Sequence, residues 1–181
     1  MARSSLSFRW RWQRRLRALG WTAVLLAMLL GLWLVTRPPP SSGAMLFAAD
    51  GDSLVIRVAG SSRGVRLIGI DAPERGQRCR DARGAAWDCG RAATAALRAL
   101  VPQDAPLTCH SSGTDRFDRA LSVCLTADGR DVAAQLVAGG WAIATTETYL
   151  VEEAEARAAR RGLWAGDFET PAEWRAAHPR K

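Results

Sequence analysis

The chain is poor in the residues on which much metal and acid–base chemistry depends. Its 181 residues include only two histidines, His110 and His178, too few for the histidine-metal nuclease folds or a zinc hydrolase, and leaving a Ser/His/Asp triad little to draw on. No glycine-rich loop of the phosphate-cradling kind is present. The four cysteines, Cys79, Cys89, Cys109 and Cys124, contain no C-x-x-C pair, which argues against a zinc site. There is no internal repeat. A basic excess is also missing where a nucleic-acid binder would need it. The formal charge is +7, but Met1–Arg37 holds seven arginines and no acid, so 25 − 7 leaves 18 basic groups against 18 acidic ones in residues 38–181. Beyond its N-terminus the chain is neutral, and any attraction for phosphate must come from locally placed arginines.

What the N-terminus does have is an uncharged run. Residues 18–36 (ALGWTAVLLAMLLGLWLVT) carry no charge, and at about 1.5 Å per residue they reach about 28 Å, close to a bilayer core. The basic tail 1–17 precedes them, so the positive-inside rule predicts a single-pass anchor in the cytoplasmic membrane. Its N-terminus would be cytoplasmic and the rest of the chain periplasmic or extracellular. A cleaved signal peptide, with Ser42-Gly43-Ala44 as the small-residue site, is the rival reading and also exports the domain. Residues 37–43, rich in Pro, Ser and Gly, read as a tether. An even cysteine count suits an oxidising compartment.

From residue 44 the pattern becomes β-like. Met45–Ala48, Leu54–Val58 and Val65–Ile70 are short apolar runs parted by turn residues, and residues 72–90 read as a loop. Arg91–Val101 reads as a helix stopped by Pro102. Leu107–Cys109 and Ala120–Leu125 read as strands. A helix capped by Asp131 runs to Gly139-Gly140, and another spans Leu150–Arg161. Five strands and about three packed helices predict an α+β fold, an OB-type barrel over residues 44–176, followed by a short tail 177–181. Residues opposed in an antiparallel hairpin have numbers with a constant sum. Cys109 and Cys124 then face each other across a turn near Arg116-Phe117, close enough for a disulfide. Cys79 and Cys89 would pin the loop between them.

The polar residues around these strands can do chemistry together. Asp52 stands just before one strand and Asp71 just after another. If the strands are neighbours, the two carboxylates meet at one edge of the barrel, and two such groups repel unless a cation lies between them. Oxygen donors suit a hard ion such as Ca²⁺, and Ala72 can add its carbonyl. Glu74, fixed by Pro73, can orient or deprotonate a water. Arg66 and Arg119 can neutralise a phosphoryl group as its charge builds. Singly, each residue has a plain structural explanation, such as a turn for Asp50-Gly51-Asp52.

Jointly they form a pattern. The segments Asp50-Gly51-Asp52-Ser53-Leu54-Val55 and Arg66-Leu67-Ile68-Gly69-Ile70-Asp71-Ala72-Pro73-Glu74 resemble the core motif of the thermonuclease (micrococcal-nuclease-like) family. Asp115-Arg116-Phe117-Asp118-Arg119-Ala120-Leu121 resembles its second motif. The blocks around Gly140-Trp141-Ala142 and Gly162-Leu163-Trp164 resemble its C-terminal part. The resemblance implies an OB barrel and Ca²⁺-dependent hydrolysis of phosphodiester bonds in DNA and RNA, leaving 3′-phosphate ends. It places Asp52, Asp71 and the Ala72 carbonyl at the metal and Asp50 close by. Glu74 matches the proposed general base, and Arg66 and Arg119 match the phosphate-binding arginines. Arg116, Phe117 and Tyr149 are the candidate substrate contacts, and the protein is expected to act as a monomer.

The chain departs from the pattern in places. The second motif commonly has tyrosine then glycine where this chain has Phe117 then Asp118, and Asp118 could repel substrate or occupy Arg119. An aromatic residue often found after Gly140-Trp141-Ala142 is absent, with Tyr149 as its candidate replacement. Two further readings stay open: a non-catalytic OB module that binds nucleic acid or a protein at the cell envelope, and an oligosaccharide binder. The joint presence of acids and arginines separates the nuclease reading from both.

Overall fold

The computed structural model describes the backbone of residues 5–36 and 40–179, and the side chains of 20–35 and 40–179. The chain divides into two units at residue 38. The first is one helix, α1 (Ser5–Thr36). Its described side chains are uncharged and exposed, Trp21, Leu26 and Val35 among them. Among the described residues no helix is long and apolar enough to cross a membrane. The expected span over 18–36 is therefore not found as such. The side chains of residues 18, 19 and 36 lie outside the described ones, so part of that expected span is not described. The expected basic tail, residues 1–17, likewise lies outside the described side chains, as do residues 37–39 of the tether.

The second unit is built on a closed five-stranded barrel, consistent with an OB-type α+β fold. Its strands are β1 (Ser41–Ala48), β2 (Ser53–Val58), β3 (Ser61–Leu67), β7 (Pro106–Thr114) and β8 (Ala120–Thr126), in the order β1-β2-β3-β8-β7. All neighbours are antiparallel except β3 and β8. Alternation decides what faces inward: Leu54 and Ile56, Val65 and Leu67, Leu107 and Cys109, Ser122 and Cys124 are all buried. Residues 41–43, expected in the tether, already pair with β7, Ser41 opposite Cys109.

Between the barrel strands lie β4 (Ile70–Asp71), the hairpin β5 (Arg78–Arg80) and β6 (Ala86–Asp88), and helix α2 (Cys89–Leu100), capped by Asp88. The expected loop 72–90 thus contains a small hairpin. After the barrel come α3 (Val132–Ala138), capped by Asp131, β9 (Ile143–Ala144), α4 (Leu150–Ala158) and α5 (Pro171–Ala177). Four helices, not about three, accompany the barrel among the described residues. The fourth, α5, is opened by Thr170 and Glu173, which exchange hydrogen bonds in a capping box, with Pro171 in the first turn.

Both expected disulfides form. Cys109 and Cys124 are register partners with Cα atoms 4.1 Å apart, and Cys79–Cys89 closes the β5–β6 hairpin at 5.6 Å. A bulge between Ser111 and Gly113 shifts the β7–β8 register by one, which centres the turn on Phe117.

Candidate active site

The first carboxylates come from the turn between β1 and β2. Gly51 is required there by close packing: a Cβ would lie 2.7 Å from Ala72 Cβ and 2.8 Å from Ala93 Cβ of α2. The turn is thus wedged between α2 and the segment that follows β4, and Asp52 is carried inward to 1% exposure. Asp71, on β4, is also buried. Arg66 lies between the inward residues Val65 and Leu67, so its side chain leaves β3 on the opposite face and reaches both acids. Its Nη1 donates to Asp52 Oδ1 and its Nη2 to Asp71 Oδ1 at 3.0 Å.

The two acids therefore meet, as expected, but the positive group between them is Arg66. The other oxygen of Asp52 accepts the Ala72 N–H at 2.8 Å, and Ser53 Oγ donates to Oδ1 at 3.1 Å. Ala72, whose carbonyl was expected at the cation, is thus held beside Asp52 by its amide. Burial pushes the Asp52 carboxyl up to about 8, against the pull of Arg66, and the nearby Asp50 adds to the rise. From the ordinary value of 3.8 up to about 8, the folded protein holds a proton that the unfolded chain releases. That contribution to stability is complete below the lower value and disappears as pH rises through the upper one. The Tm of chelator-treated protein is expected to fall across this window, as thermal melts from pH 4 to 9 would show; a Tm that rises through it would contradict the assignment.

Glu74 follows on the loop after β4. Gly90, in the first turn of α2, allows that loop to lie on the helix, since a Cβ there would be 1.9 Å from the Glu74 carbonyl oxygen. Gln77, fully buried, accepts the Glu74 N–H at 3.0 Å through Oε1 and donates to the Glu169 carbonyl at 2.7 Å through Nε2. The Glu74 carboxylate accepts from Arg175 of α5 at 2.9 Å, and Arg175 also grips both oxygens of Asp71, at 3.0 and 2.8 Å. These bonds to two acids hold the Arg175 guanidinium more firmly protonated than usual, against the opposing effect of its burial. Neither Gln77 nor Arg175 was read from the sequence; the Thr170/Glu173 capping box was the available signal for the helix that carries Arg175.

Arg119 enters from the start of β8. Its Nη1 donates to Ser53 Oγ at 2.9 Å, and through that hydroxyl it is linked to Asp52. Its Nε lies 2.8 Å from Asp115 Oδ2, and the same acid accepts the N–H groups of Phe117 and Arg119, shaping the turn. The acid that engages Arg119 is Asp115, where Asp118 was the concern. Asp118 sits at φ 59°, a left-handed conformation that explains the glycine common here and that aspartate tolerates.

The three proposed substrate contacts separate. Phe117 is 57% exposed, and Arg116 stacks over its ring at 4.8 Å. Tyr149 does not join them: its ring is buried in the core and its hydroxyl donates to Asp131 Oδ2 at 2.9 Å. Tyr149 therefore does not line the cleft of the site, unlike Arg116 and Phe117. This cleft of about 940 Å³ is lined by Asp50, Arg66, Glu74, Arg119, Phe117 and Arg175, among others; Asp52 and Asp71 are buried and do not line it, but both are bonded to its Arg66.

Among the described residues no group of three or more His, Cys, Asp or Glu side chains is arranged to hold a metal ion. Asp52 and Asp71 do converge on one cationic group, and they offer only oxygen donors. That chemistry fits a hard divalent ion with carbonyls and water completing its roughly six to eight positions.

Comparison with known proteins agrees with this architecture. A family model described as staphylococcal nuclease homologue matches residues 64–166, more than half of the chain. The match takes in Arg66, Asp71, Glu74 and Arg119 but leaves Asp52 and Arg175 outside it. A succinoglycan biosynthesis protein, ExoI, of Rhizobium meliloti (strain 1021) is 40% identical over 94 residues, covering 52% of this chain and 47% of that protein. The chain thus spans about half of that relative's length. An uncharacterized endonuclease of Escherichia coli O157:H7 is 30% identical over 139 residues, covering 74% of this chain and 84% of that protein, and its Escherichia coli counterpart matches equally. The chain belongs to the staphylococcal nuclease homologue family.

Proposed function

We propose that the protein is a Ca²⁺-dependent endonuclease that hydrolyses phosphodiester bonds in DNA and RNA with little regard to the sugar. The observation that carries this reading is that Arg66, Glu74 and Arg119 line one open cleft, and that Arg66 is bonded to both buried acids, Asp52 and Asp71, at its edge. Asp52 and Asp71, with the Ala72 carbonyl, would hold the ion. A bound hard cation supplies Lewis-acid polarisation of a phosphoryl oxygen. Arg66, bonded to Asp52, and Arg119, bonded to Ser53, neutralise the charge that builds on the phosphoryl group. Glu74, its backbone fixed by Gln77, takes a proton from the attacking water. The new P–O bond forms as the bond to the 5′ oxygen breaks, so the products carry 3′-phosphate and 5′-hydroxyl ends. Arg116 and the exposed ring of Phe117 offer a phosphate contact and a stacking face for a neighbouring nucleotide.

The chain is proposed to act as a monomer, exported and tethered to the cytoplasmic membrane by residues 18–36. Support comes from the uncharged, outward-facing side chains of α1 and from two disulfides in the second unit, which suit an oxidising compartment. One observation favours the rival reading, a non-catalytic module at the cell envelope: Arg66, Arg119 and Arg175 are all engaged by acids. Product analysis separates the two. Digestion of an end-labelled single-stranded DNA with calcium should yield fragments that phosphatase shifts at the 3′ end. Fragments with 5′-phosphate ends, or none, would overturn the proposal.

A further inference from the structure

Every arginine of the cleft that reaches the carboxylates is spent on them. Arg175 is the extreme case, with three hydrogen bonds of 2.8 to 3.0 Å to Asp71 and Glu74. Asp71 Oδ1 is shared between Arg66 and Arg175, and Oδ2 is taken by Arg175. Both oxygens of a carboxylate assigned to a cation are thus covered by guanidinium nitrogens. A divalent ion at Asp71 would compete with these guanidinium groups for the carboxylate and be repelled by two nearby positive charges while both arginines remain.

We infer that Arg175 is a resident counter-cation: helix α5 closes the site by holding Asp71 and Glu74, and a divalent ion must displace Arg175 from Asp71 to bind. The inference rests on the metal reading given above. Exposure identifies which arginine yields. The side chain of Arg175 is 42% exposed against 20% for Arg66, so releasing Arg175 returns it to water at a small desolvation gain, whereas Arg66 is held between two buried acids. The anchoring fits a hinged part. Backbone bonds between Arg80 and Asp167, at 2.8 and 3.1 Å, and the Gln77–Glu169 bond tie the chain down before α5 begins. Arg175 lies beyond these ties, near the far end of a seven-residue helix. It also lies outside the family match, as do Asp52 and strands β1 and β2.

Calorimetric titration of calcium into the full-length protein, without nucleic acid, tests this directly. Arg175→Ala is expected to bind calcium about tenfold tighter than the wild type, the scale of removing one charge-assisted competitor. In chelator its Tm should be lower, and its rise on adding calcium larger. Arg175→Lys, which keeps the charge but cannot grip both oxygens of Asp71, should fall between the two and guards against a folding defect in the alanine variant. Equal or weaker calcium binding by Arg175→Ala, or binding by neither protein, overturns the latch, even if the wild type digests DNA. Tighter binding by the variant with no digestion by either protein supports the latch and overturns the nuclease reading instead.

Discussion

Arg66→Ala is expected to destabilise the metal-free protein by about 3 kcal/mol at pH 8, roughly 10 °C in Tm, and to lower digestion about 10²–10³-fold. The stability loss arises because Asp52 and Asp71 are buried and face each other through the Arg66 guanidinium. Without it, one acid must take up a proton or both must repel. The loss should shrink toward pH 5, since Asp52 is the acid whose environment already favours protonation. Calcium should restore much of the stability, because an ion between the acids replaces the missing charge. It should not restore the rate, because no guanidinium then faces the phosphoryl group from β3. Thermal melts with and without calcium, beside digestion rates, read the two effects separately. An Arg66→Ala protein that melts like the wild type in chelator would show that the acids do not depend on this arginine.

The second large effect is expected at Glu74. Glu74→Gln keeps an oxygen for Arg175 and leaves the backbone bond to Gln77 untouched, so the fold and calcium binding should be preserved. What it removes is the ability to accept a proton. The rate constant kcat should fall about 10²–10⁴-fold with little change in KM. A loss confined to KM would assign Glu74 to substrate binding, and an unchanged kcat would remove it from the chemistry. Because Arg175 holds the same carboxylate, the double variant Glu74→Gln/Arg175→Ala should show no gain over Glu74→Gln in kcat while still binding calcium more tightly.

The barrel and the acidic turn were legible in the sequence because their signals are local or symmetric. Period-two alternation put Leu54, Ile56, Val65 and Leu67 inside, and the constant sum of an antiparallel pair placed Cys109 opposite Cys124; the bulge near Gly113 moved the turn by only half a residue. The site itself was legible as a set of acids and arginines but not as a charge arrangement. Spacing shows that Asp52 and Asp71 can meet; it cannot show that Arg66, from the strand between them, fills the gap. Arg175 was missed for a related reason. It lies more than a hundred residues from Asp71, and only a short capping box marks the helix that delivers it. Tyr149 misled because an aromatic residue at the right distance along the chain says nothing about its side. Here Gly69 lets the ring lie inward, where a Cβ would stand 2.8 Å from it, and Asp131 takes the hydroxyl. The Cys109–Cys124 disulfide is the counterexample, since covalent pairing demands a geometry that strand register supplies.

In the proposed reading, two buried acids beside the cleft exchange an arginine for a divalent ion and act with Glu74 and Arg119 on a single phosphodiester. Plasmid digestion by the full-length protein, with calcium, with excess chelator and in the Asp52→Ala variant, tests that most directly. Nicking and linearisation with calcium, absent in the other two conditions, is the predicted result. Undiminished cutting in chelator, or by Asp52→Ala, would contradict it.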